Sequence, residues 1–140
     1  MITTLVLLML ITGCTNTKKL AGTTGGSEML YANQWKLAEL NGTRVNTSNA
    51  LLLFSPGQVN RVSGNAGCNK LNGTIELSGA NAIKFSPVAT TRMACEPGVR
   101  ETEFTEMLGK VNNWSIINNQ LLLSNGKTVL ARLNATQQKL

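Results

Sequence analysis

Histidine and aspartate are both absent from this sequence of 140 residues. Without histidine, the usual general base at neutral pH is missing, and no Ser-His-Asp or Cys-His arrangement is available. His-containing zinc sites and aspartate-based calcium loops are excluded too, and there are too few cysteines for a Cys₄ zinc site. Lys, Glu, Ser and Tyr can still do acid-base chemistry. The composition nevertheless favours a protein that is not an enzyme and that uses no metal or cofactor.

Aromatic residues are also scarce, with two Trp, one Tyr and three Phe. The charge is +6, from 13 Lys and Arg against 7 acids, but no basic run exceeds two residues. Single-strand binders interleave basic residues with aromatic stacking platforms, and that pattern is missing here. We therefore expect a solvated basic surface and no nucleic-acid partner.

The N-terminus has the features of an export signal. The apolar run over residues 5–11 is too short to span a bilayer, which needs about 20 residues, but suits a signal-peptide core. The segment Ile11-Thr12-Gly13-Cys14 resembles the bacterial lipobox. That resemblance implies cleavage before Cys14, lipid attachment to Cys14, and a membrane anchor. Thr15 stands where lipoproteins retained in the inner membrane often carry Asp, so we expect the outer membrane, with the domain facing either side.

The segment after the anchor is polar, glycine-rich and without periodicity, as in flexible linkers. We therefore expect four parts. Residues 1–13 are the signal peptide, 14–28 the lipidated cysteine and flexible tether, 29–134 the folded domain, and 135–140 a tail. We expect the protein to be a monomer.

The folded part shows short apolar or alternating segments separated by turn residues, which is typical of antiparallel β-structure. Trp35 and Leu37, for example, alternate with Lys36 before the Asn41-Gly42 turn. Asn125-Gly126 is the strongest hairpin signal, because a type I′ turn needs positive φ at both central residues. About eight or nine such strands with one helix predict a mainly β fold, a small antiparallel barrel.

One helix is predicted to begin near Pro97, since proline suits the first helical turn. Its apolar stripe has helical spacing and consists of Phe104, Met107, Leu108 and Val111. Acidic residues lie in or near its first half (Glu96, Glu101 and Glu103), and Lys110 lies near its end. We interpret these charges as matching the helix dipole and not as a paired-carboxylate site.

Two cysteines, Cys68 and Cys95, remain once Cys14 is lipidated, and the envelope is an oxidising compartment. A disulfide between them would contribute about 3–4 kcal/mol on the chain-entropy estimate. A pair of free buried thiols is the alternative. A redox role is disfavoured, because there is no C-x-x-C motif and no cation cluster to lower a thiol pKa.

Several segments resemble the META domain (HslJ-like) family in order and spacing. They are Trp35–Gly42, Val62–Asn69 with Gly73, Thr91–Cys95, Glu103-Phe104 with Leu108, and Leu121–Leu123. The resemblance spans about residues 30–133 and implies an antiparallel, partly open β-barrel of about eight strands crossed by one helix. It carries no catalytic motif, and some members are linked to stress. It implies structural roles for Trp35, Gly64, Gly67, Asn69, Gly73, Thr91 and Met93.

The leading functional hypothesis is a non-catalytic, lipid-anchored envelope protein that contacts another envelope component. A hydrophobic-ligand or lipid-binding barrel is the first alternative, although apolar side chains are expected to fill the interior. A secreted-proteinase inhibitor that presents the loop Ser55–Gln58 is the second. No inhibitory signature is visible in that loop.

Overall fold

The computed structural model describes residues 25–46 and 48–137. These residues form ten strands and two helices. The helices are α1 (Gly25–Ala32) and α2 (Glu101–Leu108). The strands are β1 (Asn33–Leu40), β2 (Thr43–Arg44), β3 (Leu51–Ser55), β4 (Asn60–Asn65), β5 (Lys70–Ser78), β6 (Ala82–Phe85), β7 (Ala89–Thr90), β8 (Asn113–Ile117), β9 (Gln120–Asn125) and β10 (Thr128–Gln137).

Eight strands form an antiparallel barrel in the order β10-β9-β8-β6-β5-β4-β3-β1. This confirms the predicted mainly β barrel. The short strands β2 and β7 are additional and pair with β1 and β5. The barrel is closed and not partly open, because the ten-residue β10 is long enough to pair with both β9 and β1. The shortest strand pairing of the barrel lies between β6 and β8, which share the single register pair Ala82↔Asn113.

The barrel interior is filled by apolar side chains. Period-2 alternation directs them inward, as in β1, where Trp35, Leu37 and Leu40 are buried while Lys36 is exposed. The largest fully buried side chains include Trp35, Phe54, Phe104, Leu52, Leu121 and Leu133. Burying such side chains stabilises the fold by about 1.5–3 kcal/mol each. The core therefore occupies the space in which a lipid-binding barrel would hold its ligand.

The first helix, α1, lies where the flexible tether was expected to end. The predicted tether ran to residue 28, but residues 25–28 belong to α1. This helix packs against β1, β3 and β8, and its Leu30 is fully buried. The Trp35 indole N–H also donates a hydrogen bond to the Leu30 carbonyl at 2.9 Å. Tertiary packing thus holds a glycine-rich segment of low helix propensity in a helix.

The second helix, α2, starts later than predicted. Pro97 lies in a turn with Gly98, whose φ of +89° is incompatible with a helix, and α2 begins at Glu101. The apolar stripe is nevertheless buried as expected, through Phe104, Met107 and Leu108. Val111 is buried just beyond the helix.

The type I′ geometry predicted for Asn125-Gly126 does not occur there, because Gly126 has positive φ while Asn125 does not. The two-residue loop consists instead of Gly126 and Lys127. Positive φ at both central residues occurs at Asn41-Gly42 and at Asn118-Asn119.

The C-terminal segment was predicted to be a tail from residue 135. Residues 135–137 instead continue β10, where Ala135 pairs with Trp35 of β1. The signal peptide, Cys14 and residues 15–24 of the tether lie outside the described residues. Within the described part of the chain, neither helix is long and apolar enough to cross a membrane.

Candidate functional site

Two segments that are distant in sequence meet beside the barrel. The 65–69 turn joins β4 to β5, and the 91–100 loop joins β7 to α2. A disulfide links them through Cys68 and Cys95, whose Cα atoms are 5.8 Å apart. The predicted pairing is confirmed, and the alternative of two free thiols is wrong.

Asn69 lies at the centre of this junction and is the one buried polar side chain among the described residues. Its Oδ1 accepts hydrogen bonds from the Met93 backbone N–H at 2.7 Å and from the Thr91 hydroxyl at 2.9 Å. Its Nδ2 donates to Glu101 Oε1 at 2.8 Å. One buried side chain thus holds both ends of the 91–100 loop, since burial is tolerated only when such polar groups are paired.

Glu101, the first residue of α2, completes the network from the helix side. Its Oε2 accepts the Asn69 backbone N–H at 2.7 Å and the Cys68 backbone N–H at 3.3 Å. Burial raises the pKa of this carboxyl, but the backbone and side-chain hydrogen bonds from Asn69 and the one from Cys68 together lower it below its usual value. The carboxylate therefore stays ionised at neutral pH and acts as an acceptor.

Glu103 and Arg100 form a second polar contact at the same helix end. The Arg100 guanidinium pairs with the Glu103 carboxylate, and the Asn41 side-chain amide donates to Glu103 at 2.9 Å. The hydrogen bonds from Arg100 and Asn41 lower the pKa of Glu103. The interpretation of the acidic cluster as helix electrostatics was therefore incomplete, because Glu101 and Glu103 each bind a specific loop.

Two glycines allow the chain to reach this arrangement. Gly64 has φ +151°, and a Cβ there would lie 2.0 Å from the Leu51 carbonyl oxygen of the neighbouring strand. Gly67 has φ +129°, and its Cβ would lie 2.9 Å from Val99 of the 91–100 loop. Both positions combine a backbone conformation that favours glycine with a close approach.

The remaining residues implied by the resemblance take different places. Trp35 is buried in the core, and Gly73 lies in β5 under Val88, where a Cβ would come within 3.0 Å of that side chain. Thr91 joins the Asn69 network and also accepts the Lys70 backbone N–H at 3.1 Å. Met93 takes part only through its backbone, because its side chain is 61% exposed.

The 91–100 loop lies over this network, is held by the disulfide and by Asn69, and is exposed to solvent. Residues 91–99 are exposed or nearly so, and they include the apolar side chains of Met93 and Val99. A cleft of about 470 Å³ runs beside the loop. Its walls include Leu37, Val45, Ala66, Gly67, Val99 and Arg100.

The donor atoms of Cys68, Cys95 and Glu101 lie within 4.8 Å of one another, as metal ligands would. The two sulfurs are bonded to each other, however, and a cysteine binds a metal ion only as a free thiolate. The donor set in this oxidised form does not fit a metal ion. The junction therefore braces the 91–100 loop, and the Glu101 carboxylate is held within it as a hydrogen-bond acceptor.

Fold and junction together define a small β-barrel that presents a disulfide-braced loop. The chain belongs to the META domain family, whose model matches residues 28–137. The META domain is not a known enzyme family. No curated protein matches the chain significantly.

Two similar structures were solved by NMR. One is 27% identical, has a TM-score of 0.56, and the match covers 76% of this chain and 92% of the other. The second, from Burkholderia xenovorans, is 19% identical with a TM-score of 0.61, and the match covers 79% of this chain and 86% of the other. The second likeness supports the fold alone.

Proposed function

We propose that this protein is a non-catalytic, lipid-anchored protein of the cell envelope that contacts another envelope protein through its 91–100 loop. The carrying observation is the bracing of that loop by the Cys68–Cys95 disulfide and by the buried Asn69. A loop held in one conformation before binding loses less entropy when it meets a partner. Its exposed Met93 and Val99 offer apolar contact area. Methionine is favoured at such surfaces.

The proposed anchor is Cys14, which ends the lipobox-like segment and lies outside the described residues. Each buried CH₂ of an attached acyl chain contributes about 0.8 kcal/mol, so two or three chains anchor a protein stably. Delivery to the outer membrane follows from Thr15 by the lipoprotein analogy. The domain would act there as a monomer, and a link to stress would follow from the family.

The contact is tested by placing a photo-crosslinking amino acid at position 93 in cells that express the protein at its native level. Val59 is the matched control site, because it is a 57% exposed apolar residue in a different loop. We expect a discrete crosslinked protein from position 93 and none from position 59. Equal labelling at both positions, or no adduct at 93, would refute the proposed surface.

The anchor has a separate test. The Cys14→Ser variant should leave the membrane fraction, and mass spectrometry of the wild-type protein should show an acylated residue 14 as its first residue. An unacylated chain that keeps its leader would refute the anchor without affecting the loop proposal.

Neither alternative function gains support. The barrel interior is filled by side chains such as Trp35 and Phe54, which argues against a carrier of apolar ligands. The proteinase-inhibitor loop, residues 55–58, is exposed, and the disulfide braces the 65–69 turn instead. Both alternatives stay predictions.

A further inference from the structure

A groove of about 700 Å³ lies on the outside of the barrel, where β1, β2 and β10 meet. Three cationic side chains and one acidic side chain line it, namely Lys36, Arg44, Arg132 and Glu39. The groove shares no residue with the disulfide, with Asn69 or with the 91–100 loop. It is a feature that the proposed function does not use.

The strand register brings these charges together. Glu39 of β1 is paired with Arg132 of β10 on one side and with Arg44 of β2 on the other. The register of β1 against β10 shifts between Leu37 and Glu39. Because successive strand residues point to opposite faces, this bulge puts Glu39 on the outer face with Lys36, while Leu37 and Leu40 stay in the core.

The charges do not cancel. Arg132 Nε lies 3.5 Å from Glu39 Oε1, and this pair is only partly exposed. Lys36 and Arg44 form no ion pair with any residue in the described ranges. Three cations and one acid leave two positive charges in excess within one concave site.

Neutral donors complete the lining. Asn134 lies opposite Lys36 in the register, and its Oδ1 accepts a hydrogen bond from the Gln120 amide at 2.9 Å. That bond orients the Asn134 side chain and leaves its amide N–H₂ group available to a ligand. Thr136 lies on the same face, two residues further along β10.

We propose that this groove binds a phosphate-bearing ligand. A phosphate monoester carries a charge of about −1.5 to −2 at pH 7, which matches the two excess positive charges. Arginine presents a planar fork of donors suited to phosphate oxygens, and lysine adds a point charge. The groove volume falls in the range of about 300–1,000 Å³ that small-molecule sites occupy. Glu39 offsets one of the three positive charges through its ion pair with Arg132, and so limits the affinity of the site.

The test uses the full-length protein with Cys14→Ser, which lacks the site of lipid attachment. Titration calorimetry measures binding of inorganic phosphate and glycerol phosphate, with acetate as the carboxylate comparison. Flotation measures binding to vesicles that contain phosphatidic acid, with phosphatidylcholine vesicles as the baseline. These arms separate a free phosphate from a lipid headgroup, and binding in either arm supports the site.

Three substitutions give the proposal its sharpest test. We expect Arg44→Gln to weaken phosphate binding about tenfold, because it removes one of the two excess positive charges together with its fork of donors. Glu39→Gln removes the repulsive carboxylate and should tighten binding several-fold. Arg61→Gln is the matched control, since Arg61 is an exposed cation on β4 outside the groove. It should change affinity less than twofold.

Several results would overturn the proposal. They are equal losses of phosphate affinity in Arg44→Gln and Arg61→Gln, or weaker phosphate binding by Glu39→Gln. Equal affinity for acetate and phosphate, or no binding in either the calorimetry or the flotation arm, would also overturn it. Urea unfolding of each variant shows whether the fold is intact. Arg44 lies on an exposed strand of two residues, so we expect its substitution to leave the unfolding midpoint unchanged.

Discussion

The substitution Asn69→Asp tests the buried network most directly, because it changes one donor group and keeps the shape. Asn69 Nδ2 donates to Glu101 Oε1 at 2.8 Å. In the variant a carboxylate oxygen faces the Glu101 carboxylate at that position. The acceptor bonds from Met93 and Thr91 can persist, so the perturbation is confined to the contacts of Nδ2. Besides Glu101 these are the Met93 carbonyl oxygen at 3.4 Å and Cys95 Sγ at 3.3 Å, both longer than the contact with Glu101.

Two terms set the magnitude at pH 7. Losing a hydrogen bond to a charged group costs about 1.5–3 kcal/mol. Repulsion between two unit charges about 4 Å apart adds roughly 1 kcal/mol in water and about 4 kcal/mol at an effective dielectric constant of 20. Glu101 is partly exposed, so we take the lower part of that range. We expect Asn69→Asp to reduce the free energy of unfolding by about 3–5 kcal/mol at pH 7.

The stability of the Asn69→Asp variant should depend on pH in a defined direction. Two carboxylates that share one site hold a proton in the folded state that the unfolded chain releases, so one folded-state pKa is raised. Stability then rises as the pH falls from 7 toward 5. The variant should recover stability relative to the wild type over that window, because the shared proton restores a donor between the two groups.

Urea unfolding at pH 7 and pH 5, followed by the fluorescence of the buried Trp35 and Trp114, measures this effect. The control is Asn72→Asp, which makes the same charge change at an exposed position of β5. We expect the control to stay within about 0.5 kcal/mol of wild type. The reasoning is refuted if the two variants are equally stable at pH 7, or if Asn69→Asp loses further stability at pH 5.

Three further predictions concern the same junction. Replacing both Cys68 and Cys95 by Ser should lower the free energy of unfolding by about 3–4 kcal/mol, because the disulfide joins residues with a sequence separation of 27. Urea unfolding midpoints with and without a reductant check this. An unchanged midpoint of the wild-type protein under reduction would contradict it. Gly64→Ala should abolish stable folding, since its Cβ would lie 2.0 Å from the Leu51 carbonyl oxygen. Gly79→Ala is the control, because Gly79 has open space at φ +57° and its substitution should cost only about 1–2 kcal/mol. Circular dichroism melts separate the two variants, and similar melting temperatures would count against the close approach at Gly64. Glu101→Gln should make the free energy of unfolding depend less on pH in the acid range. The lowered pKa of Glu101 contributes stability that is present above the pKa of the unfolded chain and is lost as the pH falls through the pKa of the folded state. Melts between pH 6 and pH 3 measure this, and an unchanged slope of stability against pH would exclude Glu101 as its source.

Local patterns predicted the barrel well, because each depends on a few neighbouring residues. The alternation of Trp35 and Leu37 correctly placed β1 in the wall of the core. The stripe of Phe104, Met107 and Leu108 correctly identified α2. The same local reasoning failed at α1, whose glycine-rich start gives no helical signal, and at Pro97, which occupies a turn before the helix. At α1, packing against the barrel overrides propensity. At Pro97 the positive φ of the following Gly98 takes the chain out of the helical conformation.

The role of Glu101 was missed for a related reason. Its hydrogen-bond partner Asn69 lies 32 residues away, and nothing in the spacing of the acids distinguishes Glu101 from its neighbours. The only available signal was that Asn69 follows Cys68, whose partner Cys95 lies six residues before Glu101. A disulfide at that point implies that the two segments approach each other, but it does not say which side chain is buried between them.

The amino-acid sequence alone determined the β-rich class and the list of chemistries that lack their residues. Those properties follow from composition and from periods of two to four residues, which act within one element. Tertiary structure alone decided that β10 closes the barrel against β1, that Asn69 is buried under the 91–100 loop, and that Arg44 and Arg132 flank Glu39. Each of these depends on strand register between distant segments, and a shift of one residue would turn every side chain of the strand to the opposite face.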